Sequence, residues 1–244
     1  MHTNVGWLVL DYLQDNVQAT MAYDGMCGEQ KNVAFAKTLP FKGGEIVFDL
    51  GAHVGFYSML FARLVGPTGQ VVAFEPDPYS LEAIKQSALL NGYDHITCEQ
   101  YAVSNCTKED FFFLSEHSAM GSFLDRNEFE TKKTSIQCIT LDDYIKNKKF
   151  SNIDLLKIDI EGAEHFVLTQ ARQLLDKYRP DLFIEVHSPL IEALGGTCED
   201  MLALIAGYKY NMYYLDNGRP IKFSDSVPQY GNWHLYASMK ELHS

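Results

Sequence analysis

Positive charge is scarce in this chain: 20 Lys and Arg stand against 32 Asp and Glu over 244 residues, a formal net charge of −12. A sequence-independent grip on phosphate backbones needs a broad positive field, so the charge balance disfavours a nucleic-acid partner. Cysteine is sparse too. The five thiols (Cys27, Cys98, Cys106, Cys138 and Cys198) show neither close pairs nor a zinc-ligand spacing, and their odd number resists a complete disulfide framework. Reduced thiols in a cytoplasmic protein are expected. Long apolar runs are missing as well. Asp11 and Asp15 follow Trp7-Leu-Val-Leu10, no basic segment precedes that run, and no stretch approaches the length of a bilayer span. No export leader and no membrane insertion are expected. Internal repeats and low-complexity linkers are also absent.

What the chain does have is enough apolar residue, 46%, to bury a full core in one α/β domain spanning 1–244. From Ile46 onward short apolar runs alternate with longer amphipathic ones, the pattern of a mostly parallel sheet covered by helices. Strands are predicted at Ile46–Leu50, Gln70–Glu75, His95–Val103, Ile153–Ile160 and Asp181–His187, with two more at Tyr208–Leu215 and His234–Met239. Helices are predicted near Phe56–Leu64, Tyr79–Asn91, Leu141–Lys146 and Ala163–Tyr178. Asp110-Phe-Phe-Phe-Leu114 and Ser135-Ile-Gln-Cys-Ile139 are strand-like and enclose a polar stretch, so a hairpin inserted over 110–139 is expected. Residues 1–45 read as a mainly helical lead-in that could cover a ligand.

Chemistry is concentrated at strand ends. Gly51, directly after the first core strand, allows a turn that a side chain would oppose, and Gly55 would let the next helix start close to a ligand. Asp49 stands at the strand's C-terminal end, where open parallel sheets bind ligands and where a carboxylate can hold an ammonium group. Glu75 ends the next strand, and its two oxygens can accept hydrogen bonds from both hydroxyls of a ribose. A nicotinamide dinucleotide would need G-x-G-x-x-G, but His53 occupies the second glycine position of Gly51-Ala-His-Val-Gly55. S-adenosylmethionine, which has no phosphate and carries a positive sulfonium, fits an acidic and less glycine-rich turn better. A lone glycine turn also occurs in α/β proteins without a cofactor, and His53 alone reads as a turn-stabilising residue; the paired acids at matching strand ends favour the ligand. Tyr101 and Ala102, near the end of the third strand, fall where the adenine would sit.

The segments Val47-Phe-Asp-Leu-Gly-Ala-His-Val-Gly-Phe-Tyr-Ser58, Ala73-Phe-Glu-Pro-Asp-Pro78, Ala102-Val-Ser104, Ile139-Thr-Leu-Asp-Asp143 and Leu155-Leu-Lys-Ile-Asp-Ile-Glu-Gly-Ala-Glu164 carry a family resemblance. Over about Gly43 to His187 the chain resembles the FkbM family of S-adenosylmethionine-dependent methyltransferases. The resemblance implies the class I methyltransferase (Rossmann-like) fold: a mostly parallel seven-stranded sheet with helices on both faces and an antiparallel final strand. It also implies O-methylation, with a glycan, glycoside or secondary metabolite as acceptor. His53 departs from it, because the family more often carries asparagine there.

Methyl transfer from a sulfonium is an in-line displacement, so alignment supplies much of the catalysis, while a weakly acidic hydroxyl gains from a base or a metal ion. Asp159 ends the strand Ile153–Ile160, and Glu185 and His187 share one face of the following strand, so the three could converge beside the methyl donor. His187 or Asp159 could serve as general base, the three could hold Mg2+ or Mn2+, or they could form a supporting polar network. Glu161 and Glu164 equally suit the positive end of a helix, and Lys157 suits a buried partner for a carboxylate. His117, Met120, Tyr230, Trp233 and His234 are candidates for the acceptor pocket, or edge packing of the core. Two alternatives stay open: N-methylation of a small molecule or peptide, with Asp159 or Glu185 positioning the amine, and a non-catalytic protein that keeps the fold.

Overall fold

Strand β3, Ile46–Leu50, shows how the sequence builds two apolar layers. Ile46, Phe48 and Leu50 join one buried cluster and Val47 joins the other, as the two-residue period of a strand buried on both faces requires. The computed structural model describes residues 2–3, 6–7, 30–115, 121–122, 131–146, 148–224 and 230–242. Within them, β3 pairs in parallel with β4, Gln70–Phe74, and with β10, Leu155–Ile158. Outward from β4 lies β5, Ile96–Glu99; outward from β10 lies β11, Asp181–His187, again parallel. The final strand β14, Asn232–Ser238, runs antiparallel between β11 and β12, Asn211–Asp216. These are seven strands with an antiparallel last member, as expected. An eighth, β13 (Arg219–Lys222), extends the edge beyond β12.

Helices cover both faces. Helix α1 (Gln30–Ala36), α2 (Phe56–Val65) and α3 (Pro78–Asn91) pack on the face that carries Val47. Helix α4, Leu141–Lys146, packs on the other. Asp77 starts α3 by accepting the Ser80 N–H at 2.9 Å, with Pro78 at the first turn, so cap and proline both set its N-terminus. Fully buried rings such as Phe48, Phe74 and Phe183 each contribute about 1.5–3 kcal/mol of apolar burial.

Two expectations need correction. The predicted strand His95–Val103 divides: β5 ends at Glu99, whose carbonyl accepts the N–H of both Glu75 and Tyr101, and the chain turns away. Ala102–Val103 is β6, which belongs to a second sheet and pairs in parallel with Cys138–Ile139. The predicted helix Ala163–Tyr178 is two helices, α5 (Glu164–Thr169) and α6 (Arg172–Tyr178). At the break the Gln170 and Ala171 N–H groups bond three residues back, to Val167 and Leu168, so the turn tightens while the apolar period runs on. Two helices that the sequence reading passed over, α7 (Ser188–Ala193) and α8 (Cys198–Gly207), follow β11.

In the second sheet, β7, Lys108–Ser115, pairs antiparallel with β9, Thr131–Ile139, and a short β8, Gly121–Ser122, pairs with β7. In the first 45 residues the described parts are an antiparallel pair, β1 (His2–Thr3) and β2 (Gly6–Trp7), and residues 30–45, where α1 is followed by turns leading into β3; the remaining lead-in lies outside the described residues. Among the described residues no helix is long and apolar enough to cross a membrane, and four cysteines are free thiols.

Candidate active site

Strand order reverses between β4 and β10 on either side of β3, and at such a switch point the strand C-termini open a crevice. The turn after β3 fills it. Gly51 has φ 73°, and a β-carbon there would stand 1.9 Å from the Asp159 carbonyl oxygen, so the turn tolerates only glycine. Gly51 and Ala52 donate their N–H groups to the Phe74 carbonyl, which ties the turn to β4. His53 follows at φ 51°, a left-handed conformation that a residue with a side chain rarely adopts. Its Nε2 is buried with no hydrogen-bond partner. Burial pushes its imidazole down to about 4, against the pull of Asp159.

Glu75 stands where β4 ends. Its Oε2 accepts the His53 N–H at 2.8 Å and its Oε1 the Asp77 N–H at 2.9 Å, leaving each oxygen capacity for one more donor. Burial raises its carboxyl to about 7 despite those two N–H groups. The strand-end acids therefore differ in accessibility. Asp49, expected to meet an ammonium group, is fully buried under the turn, with Ser58 Oγ donating to its Oδ2 at 2.6 Å and Lys157 Nζ 3.4 Å from its Oδ1. As placed, it supports the turn from beneath.

Lys157, in β10, is the central cation. Its Nζ reaches Asp159 Oδ2 at 3.2 Å as well as Asp49, and the Tyr57 ring lies 5.1 Å away. Burial would lower its pKa, but Asp159 and Asp49 outweigh that and raise it, so the ammonium persists. Asp159 experiences the converse: burial pushes it up, while Lys157 and then His187 hold it below the usual carboxylate range. After Asp159 the chain turns through two left-handed residues, Glu161 at φ 55° and Gly162 at φ 103°. Gly162 N–H donates to Glu164 Oε1 at 3.1 Å.

His187 ends β11 next to this turn. Its Nδ1 lies 2.8 Å from Glu164 Oε1, with Glu164 fully buried and His187 nearly so. Its Nε2 faces Asp159 at 3.9 Å, Glu161 at 3.8 Å and Glu185 at 3.6 Å. Burial would lower the imidazole, but Glu164, Glu161 and Asp159 together raise it to about 9, so it holds its proton at neutral pH. Glu185 turns its other oxygen to His234 Nε2, 3.5 Å away on β14, and Asn32 of α1 hydrogen-bonds that ring. Asp159, Glu161 and His187 are the described residues whose ligand atoms, within 4.8 Å of one another, could share a metal ion; Glu185, part of the expected set, is outside that group.

One cavity of about 150 Å3 connects the two halves. It is lined by Gly51, His53, Glu75, Tyr101 and Ala102 from the segments that follow β3, β4 and β5 and by Asp159 and Glu161 from the acidic turn. Asp49 and Gly55 do not line it; a β-carbon on Gly55 would meet Ile84 at 2.9 Å, so that glycine serves helix packing. Sequence reasoning missed Phe112, which reaches the cavity from β7. The strand period was its signal, since Phe112 is buried while Phe111 is exposed. Of the acceptor candidates, Trp233 is a core residue, 4% exposed, whose indole N–H donates to Ser188 Oγ. His234 joins the Glu185 network, Tyr230 is exposed, and His117 and Met120 lie outside the described residues.

The family profile described as the methyltransferase FkbM domain matches residues 49–212. Among curated proteins, 31-O-demethyl-FK506 methyltransferase FkbM of Streptomyces tacrolimicus is 26% identical over a 200-residue alignment, which covers 69% of this chain and 74% of that protein. Among solved structures, methyltransferase FkbM from Methylobacillus flagellatus KT is similar with a TM-score of 0.51 and 16% identity, covering 91% of this chain and 55% of that one. The precorrin-6y C5,15-methyltransferase from Geobacter metallireducens GS-15 matches with a TM-score of 0.50 and 11% identity, covering 87% and 88%. The shared architecture is the class I methyltransferase fold.

Proposed function

The chain belongs to the FkbM family of S-adenosylmethionine-dependent methyltransferases, and we propose that it moves the methyl group to a hydroxyl of a glycan, glycoside or secondary metabolite in the cytoplasm. The observation that carries this reading is a cavity lined both by Glu75 and by Asp159. Glu75 has one acceptor position left on each oxygen for a ribose diol, and it accepts best when ionised. Tyr101, Ala102 and Phe112 offer the apolar walls an adenine ring needs. His53 Nε2, buried without a partner, is a polar atom that a bound donor would satisfy. Gly51 and Gly55 shape the turn and its packing, and Asp49 acts through Lys157 rather than by contact.

At the reacting end, Asp159, His187 and Glu185 would receive the acceptor hydroxyl. The oxygen forms its bond to the methyl carbon as the carbon–sulfur bond breaks, and the hydroxyl proton passes to a carboxylate of this cluster. Asp159 is held ionised by Lys157 and is a weak base, and His187 already carries a proton, so charge stabilisation at this cluster outweighs proton abstraction by it. A Mg2+ or Mn2+ ion among these carboxylates would supply Lewis acidity to the hydroxyl. The acceptor's amine counterpart, N-methylation, needs no such ion.

The test is transfer of isotopically labelled methyl from S-adenosylmethionine into a panel of sugars, glycosides and metabolite extracts, with products identified by mass spectrometry. Label on oxygen supports the reading; label on nitrogen favours the amine alternative, and absence of transfer by a protein that binds the donor favours the non-catalytic one.

A further inference from the structure

We propose that the chain carries a divalent-cation site formed by Asp159, Glu161 and His187, with Glu164 as the residue that positions the imidazole. The proposal rests on the methyl-transfer reading for its purpose, but its geometry is independent of it.

The spacing around His187 Nε2 is the first observation. Its distances of 3.9 Å to Asp159 Oδ1, 3.8 Å to Glu161 Oε2 and 3.6 Å to Glu185 Oε1 are too long for hydrogen bonds. Ligand atoms each about 2.1 Å from one octahedral ion stand about 3 Å apart when adjacent and about 4.2 Å apart when opposite. His187 Nε2 stands 3.9 Å from Asp159 and 3.8 Å from Glu161, so the ring and the two carboxylates close on one ion by moving together by about 1 Å. Oxygen-rich donors with one imidazole suit Mg2+ or Mn2+.

The second observation is the way the imidazole is held. His187 Nδ1 is 2.8 Å from Glu164 Oε1, and Glu164 and His187 are 0% and 2% exposed, so the pair sits in a nearly water-free environment. A carboxylate behind Nδ1 keeps that proton in place and aims Nε2 at the cluster, an arrangement that orients metal-binding histidines; a bound cation takes the place of the Nε2 proton that the ion-free ring carries. The Gly162 N–H, which also donates to Glu164 Oε1, locks that carboxylate to the turn bearing Glu161.

Division of labour among the oxygens separates Glu161 from Glu185. Asp159 gives Oδ2 to Lys157 and turns Oδ1 toward His187, so its ion pair and its cation face use different atoms. Glu185 is shared between His187 and His234. Glu161, at a left-handed φ of 55°, brings its Oε2 to 3.8 Å from Nε2 and belongs with Asp159 and His187 to the group whose ligand atoms lie within 4.8 Å of one another, as Glu185 does not. Asp159 and Glu161 line the same cavity as Glu75 and Tyr101, so the cation would border it.

The experiment is titration with MnCl2 alone, without donor or acceptor, followed by the electron paramagnetic resonance signal of free Mn2+. Wild-type protein should bind one ion. Glu161→Gln, a change at a partly exposed turn, should weaken Mn2+ binding at least tenfold, His187→Ala should do the same, and Glu164→Gln should weaken it about 10–100-fold through the misaligned ring. Glu185→Gln should stay within about threefold of wild type. Wild-type affinity in Glu161→Gln, or no binding by the wild-type protein up to about 10 mM, overturns the site. Calorimetry with S-adenosylhomocysteine on the same preparations separates the two claims: a protein that binds the nucleoside but not Mn2+ loses the cation site alone, whereas one that binds Mn2+ but not the nucleoside loses the donor reading.

Discussion

A β-carbon on Gly51 would stand 1.9 Å from the carbonyl oxygen of Asp159. The turn after β3 and the C-terminal end of β10 are thus in backbone contact, and neither can shift without the other. Gly51→Ala meets a fixed backbone atom as well as a left-handed φ, so it should destabilise the fold by at least about 3 kcal/mol in urea unfolding. Gly92→Ala, at φ 66° and ψ 31° with nothing within 4 Å, should cost only about 1 kcal/mol. Equal costs would show that the contact is not the reason for glycine at 51.

Lys157 neutralises two carboxylates at once, the buried Asp49 and the partly exposed Asp159. Lys157→Met leaves Asp49 and Asp159 without their cation, and the expected loss is about 3–5 kcal/mol by chemical denaturation. Adding Asp49→Asn to Lys157→Met should recover part of it, because one buried charge is then gone. Additive losses would contradict the pairing.

The Glu75 carboxyl should leave a signature in stability against pH. Its folded value, about 7, lies above the ordinary 4.5, so ionising it penalises the folded state. The penalty is absent below pH 4.5, grows as pH rises, and is complete above 7, where it reaches about 3 kcal/mol at most. Because His53 acts in the opposite sense over part of this window, the expected signature is a difference: the stability of Glu75→Gln relative to wild type should rise between pH 4.5 and 7 in the ligand-free protein. An unchanged slope would contradict the assignment.

His53 should give the opposite trend at lower pH. Its imidazole falls from an ordinary 6.5 to about 4, so the unfolded chain takes up a proton first and stability falls as pH drops from 6.5 toward 4. His53→Asn removes that loss and suits the left-handed φ better, so it should unfold later than wild type at pH 5. The same thermal stability for both proteins at pH 5 would refute this.

Much of this was legible in the sequence. The alternation in Ile46–Leu50, the glycine after it and the acid at Glu75 all act through local geometry, and each stands where the spacing implied. The parity of Glu185 and His187 likewise put both beside Asp159. What escaped depends on contacts between distant segments. Nothing near Asp49 in sequence reveals that Lys157, 108 residues later, covers it from the neighbouring strand. Glu164 reads as a helix-start acid until His187 arrives, 23 residues on, to share a proton with it. The division of His95–Val103 between two sheets leaves no trace in its apolar pattern, because both pieces are strands.

The central claim is that one cavity holds the donor nucleoside against Glu75 with its reacting end at Asp159. Calorimetric titration with S-adenosylhomocysteine tests it most directly, on wild type, Glu75→Ala and Asp159→Asn at pH 8. The account predicts binding by wild type, affinity at least about tenfold weaker in Glu75→Ala through loss of a charge-assisted pair of hydrogen bonds, and affinity within about threefold of wild type in Asp159→Asn. Equal affinity in wild type and Glu75→Ala would contradict it.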